Sequence, residues 1–197
     1  SNGKKLISNC GYFQKVDHQL NEISKSSAVH STLIVDDKSS CSFKKHKDKK
    51  SRTNQGLRIL KKNVVFEKNY WKVNASHDGY LKPLGIIHNR EIEFYPEQLK
   101  FIGHDKIISN KSIKHLKFEI RFHLEPNIRL MKTQDEKSIL IDLDGEGWKF
   151  SSESSTMNID KGLYFGEKNS FTDNQNIFIS GMTKEENQTI RWEITKL

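Results

Sequence analysis

Long apolar runs are missing from this sequence. No stretch of about 18 consecutive apolar residues occurs, so no helix of it can cross a bilayer. Cysteine is scarce as well. Cys10 and Cys41 are too few for a disulfide framework, and their spacing leaves the redox compartment open. There is no Gly-rich phosphate loop, no Cys-x-x-Cys pair, no His-Glu-x-x-His and no Gly-x-Ser-x-Gly elbow. Those absences argue against P-loop nucleotide chemistry, zinc ribbons, zincin proteolysis and serine-hydrolase chemistry. No initiator Met and no signal-peptide pattern open the chain. Ser1-Asn2-Gly3-Lys4-Lys5 reads instead as a hairpin turn, with Leu6 and Ile7 already in a strand. The expectation is a C-terminal piece of a longer protein, cut inside a hairpin.

What is present is charge and short strands. The 197 residues suffice for one domain with a real core. Only 34% are hydrophobic and 29% are charged, which suits a thin two-layer β protein whose strands each have a wet side. The net charge of +8 fits nucleic acid, an acidic polysaccharide, or simply a soluble lysine-rich surface. The densest basic run, Lys44 to Arg52, has no interleaved aromatic residues and reads as a solvated loop rather than a base-stacking platform. Nucleic-acid binding would show as a steep salt dependence, and the sequence does not favour it.

Hydrophobic alternation makes the chain all-β, an antiparallel two-layer sandwich, with at most a short helix near 16–23. A first strand covers 4–10, and a β-branched strand follows within 28–37. Residues 38–56 read as a charged loop. Strands are then expected at 57–61, 63–67, 69–77, 80–95, 98–102, 105–108 and 115–124. More follow at 127–132, 137–143, 147–151, 156–160, 162–166, 175–181 and 188–196. Asp78-Gly79, Tyr95-Pro96, Asp144-Gly145-Glu146-Gly147 and Ser180-Gly181 supply turn signals. In 115–124 one face carries Leu116, Phe118, Ile120, Phe122 and Leu124, and the other carries His115, Lys117, Glu119, Arg121 and His123. His88 and Arg90 share a face that runs on into Ile92 and Phe94, which puts His88 at the end of an inner face.

Candidate chemistry concentrates in histidines. His30, in an apolar and hydroxylic strand, is either a buried ring bonded to a carbonyl or a metal ligand or proton-transfer group. His77 and Tyr80 flank the Asp78-Gly79 turn and either shape it or face a sugar. His88, His123 and Asp105 offer a tri-ligand metal set in principle, though Asp105 reads more readily as a turn residue. The carboxylates do not single out a glycosidase pair.

The motifs add up in order. They are Ser8-Asn9-Cys10-Gly11, Ala28-Val29-His30-Ser31-Thr32-Leu33-Ile34-Val35-Asp36-Asp37, His77-Asp78-Gly79-Tyr80 and Gly85-Ile86-Ile87-His88-Asn89-Arg90. After them come Asp105, the Arg121–Pro126 stretch, Asp144–Trp148, Tyr164-Phe165-Gly166 and Gln175-Asn176-Ile177. Together these resemble the C-terminal β-sheet domain of the heparinase II/III-like polysaccharide lyases of bacteria, over essentially the whole chain. The resemblance implies a single β-sandwich domain over 1–197, an N-terminally truncated piece that partners an (α/α) toroid of the same polypeptide. It implies β-elimination on a uronic-acid-containing polysaccharide, incomplete without the toroid, in the periplasm or cell envelope. It places His30 and His77 as cleft groups with catalytic roles. Tyr80, His88, Arg90, Arg121 and His123 become substrate-binding residues. It also implies a possible Zn in the intact protein, held by His30 and the residue at Asn9, where relatives carry Asp. The alternative is a non-catalytic carbohydrate-binding or structural sandwich of a cell-envelope protein, its histidines buried and satisfied.

Overall fold

The computed structural model describes residues 3–13, 18–47, 51–109, 115–153, 156–166, 170–184 and 186–197. Among these, fifteen strands follow in chain order. They begin with β1 (Ile7–Ser8), β2 (Leu33–Val35), β3 (Ser42–Lys45), β4 (Ser51–Gln55), β5 (Ile59–Glu67) and β6 (Tyr70–His77). One helical turn, α1 (Leu81–Leu84), precedes β7 (Ile86–Tyr95), β8 (Lys100–Ser109) and β9 (Lys117–Leu124). The rest are β10 (Arg129–Lys132), β11 (Ser138–Leu143), β12 (Glu146–Ser152), β13 (Thr156–Tyr164), β14 (Thr172–Met182) and β15 (Asn187–Lys196).

All strands but β3 and β4, which pair as a separate hairpin, form two packed layers. The larger sheet runs β10-β11-β12-β15-β8-β7-β6-β5. The smaller runs β13-β14-β9 and ends with β1 and β2, both paired along the same side of β9. The alternation expected in 115–124 is observed: Phe118, Ile120, Phe122 and Leu124 are buried. The core centres where Phe122 meets Phe150 and Trp192, each at 4.8 Å between ring centroids. Burying side chains of this size stabilises by roughly 1.5–3 kcal/mol apiece.

Several expected boundaries move, each for a local reason. The 98–102 and 105–108 segments are one strand, because Gly103 leaves room for a ring. A Cβ there would lie 2.0 Å from the Trp192 indole. Gly162 likewise sits inside β13, against the Asn174 and Asn176 side chains. Ser180-Gly181 is no turn: β14 runs through it, and Gly181 makes space for the Phe118 ring. The expected 80–95 strand starts later, because Leu81–Leu84 coil into α1, which Gly85 ends at a left-handed φ of 76°. The expected 4–10 and 28–37 strands shrink to β1 and β2, with a 3-10 turn at Ser27–Val29. The charged loop at 38–56 is in part the hairpin β3–β4, which pairs Lys44 with Arg52 and Lys45 with Ser51; residues 48–50 lie outside the described residues. The helix expected near 16–23 is replaced by 3-10 turns at Gln19–Asn21 and Ile23–Lys25, and residues 16–17 lie outside the described residues. Both cysteines are free.

Candidate functional site

Register builds the first polar cluster. His77 pairs with His88 across β6 and β7, and Arg90 pairs with Asp105 across β7 and β8. Side chains two residues apart share a sheet face, so all four point the same way, toward the interior. Asp105 is fully buried and takes four hydrogen bonds. His88 Nε2 donates to Oδ1 at 2.7 Å, and Arg90 Nε donates to the same oxygen at 2.7 Å. Arg90 Nη2 donates to Oδ2 at 3.0 Å and Trp192 Nε1 at 2.8 Å. Burial alone would raise the Asp105 pKa. The Arg90 guanidinium and the His88 ring outweigh it and hold the carboxyl well below the usual range.

The hydrogen bonds fix the histidine protons. The Gly79 N–H donates to His77 Nδ1 at 3.2 Å, so the neutral ring carries its hydrogen on Nε2. That hydrogen meets His88 Nδ1 at 3.2 Å, and His88 Nε2–H then donates to Asp105. Every donor in the chain Gly79, His77, His88 points toward Asp105. Burial, then the neighbouring His88, pulls the His77 pKa down to about 4, with Arg90 adding and Asp78 opposing. His77 is neutral at pH 7.

A second cluster lies over the smaller sheet. Asn9 bridges the backbone of His30. His30 Nε2 donates to the Ser24 carbonyl at 2.9 Å, which leaves Nδ1 with its lone pair and no partner among the described residues. The Asn9 side-chain oxygen accepts the Gly11 N–H at 2.8 Å. His123 Nε2 donates to the Ala28 carbonyl at 3.0 Å, and burial lowers its pKa to about 4. Ser31 joins the clusters. Its hydroxyl donates to Ser8 O and accepts the His123 N–H, both at 2.9 Å, and its carbonyl accepts from Arg90 Nη1 at 2.5 Å.

The sequence-predicted residues thus fall into two groups. His77, His88 and Arg90 form one network, and Asn9, His30 and His123 gather in another. Arg121 stands apart on the outer face of the smaller sheet, held by Glu119 at 2.8 Å and lying over Phe178. Tyr80 corrects an expectation. It is fully buried, its hydroxyl donates to the Leu33 carbonyl at 2.7 Å, and burial pushes its pKa up to about 12. It ties the turn after β6 to β2 and offers no open face to a sugar. Asp105 is no turn residue either, since it lies inside β8, and His123 is in the other layer from His88. The hub role of Asp105 was missed. Its signal was an acid two residues from Ile107 and four from Phe101 on an inward-facing row. An open cleft of about 760 Å³ lies elsewhere, bordered by Lys4, Lys5, Glu125, Arg129, Asp142 and Asp144, and none of the predicted site residues lines it.

The zinc set implied by the resemblance does not fit these residues. Zinc sites use three or four protein donors. Here the Asn9 oxygen is already engaged by the Gly11 N–H, and among the described residues the cluster leaves open only two donors for a metal, His30 Nδ1 and the buried His123 Nδ1. Among the described residues no three of His, Cys, Asp and Glu are grouped for a metal. The His88–Asp105 pair is occupied by the Arg90 cation.

Comparison with known proteins places this geometry. The family described as heparinase II/III-like, C-terminal, matches residues 1–193. The heparan sulfate lyase HepC from Pedobacter heparinus superposes with a TM-score of 0.77 at 14% identity, over 98% of this chain and 29% of that one. A heparinase III structure gives 0.63 at 17% identity, over 100% of this chain and 28% of that one. FtsZ-localized protein C of Caulobacter vibrioides is 28% identical over 129 residues, which is 61% of this chain and 22% of that protein. The chain therefore spans less than a third of each relative.

Proposed function

Since the chain belongs to the heparinase II/III-like C-terminal family, we propose that it is the sheet domain of a polysaccharide lyase that works by β-elimination together with a larger N-terminal domain. The substrate is a uronic-acid-containing polysaccharide, met in the periplasm or cell envelope. In that reaction a base takes the proton at C5, the electron pair forms the C4–C5 double bond, and the C4–O bond breaks as its oxygen gains a proton. The uronate carboxylate must be neutralised for the C5 proton to leave.

The observation that carries the reading is Nδ1 of His30, which has no partner among the described residues. An imidazole whose other nitrogen is fixed by a carbonyl is held in one orientation, with Nδ1 turned outward as a proton acceptor. His77 supports the site differently. Both of its nitrogens are engaged, so it positions the turn rather than transferring protons. No step of this scheme runs through zinc. The remaining groups come from the N-terminal domain.

The test uses the full-length parent and a panel of uronate polysaccharides, followed by absorbance of the unsaturated product. The lyase reading expects activity in wild type, abolished kcat in His30→Ala, and a milder loss in His77→Gln. Wild type inert on every uronate would sink it.

One observation favours a second reading, a non-catalytic carbohydrate-binding or structural sandwich of the envelope. His77, His88 and Arg90 make their hydrogen bonds to this domain's own groups, as a purely structural network would. Retained binding of an uncleaved polysaccharide by the parent would support it.

A further inference from the structure

The hairpin of β3 and β4 belongs to neither layer and makes a two-stranded sheet of its own. Such a pair is marginally stable by itself in water. Its base and one of its faces are tied to the segments that carry the candidate histidines. Just before β3, the Ser39 and Ser40 hydroxyls meet those of Ser26 and Ser27 at 3.1 and 3.2 Å. Gln55, which ends β4, donates to the Gly79 carbonyl at 3.3 Å, in the turn that engages His77. Between these ends Ser51 donates to Glu22 at 3.2 Å, and Lys25 lies over the Phe43 ring. Ser24, whose carbonyl fixes His30, stands between Glu22 and Lys25 in the chain.

Register sorts the two faces of the hairpin. Phe43 and Lys45 lie opposite Thr53 and Ser51, on the face that rests on Glu22 and Lys25. Lys44 lies directly opposite Arg52 on the other face, turned away from that support. Both are exposed, as are Lys45 and Lys47. Like charges set directly opposite each other weaken a strand pair. Lys44, Lys45 and Lys47 make no ion pair among the described residues. The carboxylate beneath the hairpin, Glu22, is already engaged by Lys25 at 3.0 Å and by Ser51. Charges kept only for solubility need no such pairing, since an open coil would hold them farther apart. The hairpin instead gathers positive charge at one place, next to the segment that fixes His30.

We infer that the β3–β4 hairpin is an anion-gripping arm, which holds an acidic polysaccharide near His30 through Lys44, Lys45 and Arg52. Ammonium groups and a guanidinium suit carboxylates and sulfates borne at intervals along a flexible chain. Nucleic acid fits less well. The face of Lys44 and Arg52 carries no Phe, Tyr or Trp among the described residues on which a base could stack, and Phe43 lies on the opposite face against Lys25. The arm acts outside the reacting sugar, so it sets affinity and leaves the chemical step to other groups. The inference deepens the proposed function and rests on the part of it that names an acidic polysaccharide.

The test is binding of labelled heparin, polygalacturonate and duplex DNA to the full-length parent, followed by anisotropy over a range of salt. Wild type is compared with Lys44→Gln/Lys45→Gln/Arg52→Gln. A second variant, Lys61→Gln/Lys62→Gln/Lys68→Gln, removes the same charge at β5, away from the hairpin. All six side chains are exposed, so both variants should keep the wild-type thermal midpoint. Wild type should prefer at least one of the polysaccharides to DNA. The hairpin variant should weaken that binding by about tenfold, since three exposed ion pairs are lost, and make its salt dependence shallower. The β5 variant should bind as wild type does. On a polysaccharide that the parent cleaves, the hairpin variant should raise KM by a similar factor and keep kcat. Unchanged binding in the hairpin variant overturns the inference. So does an equal loss in the β5 variant, which would make the effect one of net charge. A preference for DNA overturns it too, as does a wild type that binds neither polysaccharide. A parent that grips heparin or polygalacturonate through the hairpin yet cleaves no uronate keeps this inference and loses the lyase reading. A parent whose hairpin variant cleaves with wild-type KM does the reverse.

Discussion

Arg90 donates to the Ser31 carbonyl at 2.5 Å while its other nitrogens grip Asp105. One side chain thus fastens the larger sheet to the connection that carries His30. Replacing it strands a buried carboxylate. Arg90→Ala should cost about 3–5 kcal/mol, the range for breaking a buried ion pair. Arg90→Lys keeps the charge but loses the two-pronged grip and should recover only part of this. Urea unfolding with a common m-value decides it. An Arg90→Ala loss under about 1 kcal/mol, the usual range for exposed pairs, would mean the pair is effectively solvated.

Asp105→Asn tests the donor count. Both carboxylate oxygens accept from Arg90, so either orientation of the new amide turns its NH2 toward a donor. The loss should therefore be large, on the order of 3 kcal/mol, despite the near-identical shape. In wild type, nitrogen NMR of the rings at pH 7 should show His77 and His88 both protonated at Nε2. A proton on Nδ1 of either ring would refute the hydrogen-bond chain.

Stability should fall as pH drops from neutral toward about 4. His77 and His123 have folded pKa values lowered from 6.5 to about 4. Above pH 6.5 both states are neutral and the fold is favoured in full. Between 6.5 and 4 the unfolded chain binds more protons, so unfolding gains. Asp105, depressed in the fold, acts further down, its contribution being lost as pH falls below the unfolded carboxylate pKa. Urea midpoints measured from pH 7 to pH 4.5 should decline, and His123→Gln should flatten the decline. A flat wild-type profile contradicts this.

Tyr80→Phe removes the donor to Leu33 O and leaves that carbonyl buried without its side-chain partner. The expected cost is about 1–3 kcal/mol. Calorimetry would show a lowered Tm, and an unchanged Tm would mean that water replaces the hydroxyl.

The architecture was legible because alternation survives in single strands: Phe118 to Leu124 can be oriented from the sequence alone. Two long strands were each divided beside a glycine, at Gly103-His104 and at Lys161 before Gly162. The reason for the glycine is in each case a ring or an amide arriving from another strand. The site was legible by residue type but not by partner. His88 and Asp105 stand 17 residues apart and meet only through the β7–β8 register. Tyr80 looked like a sugar platform because nothing local shows that β2 lies across its hydroxyl.

The directed bonds from Gly79 through His77 and His88 have an electrical meaning. A proton hopping along such a row needs an acceptor at the far end. Asp105, pinned as an anion by Arg90, refuses that role. The row is therefore an insulator rather than a conductor: it holds two imidazoles in one orientation and keeps charge from leaking into the core.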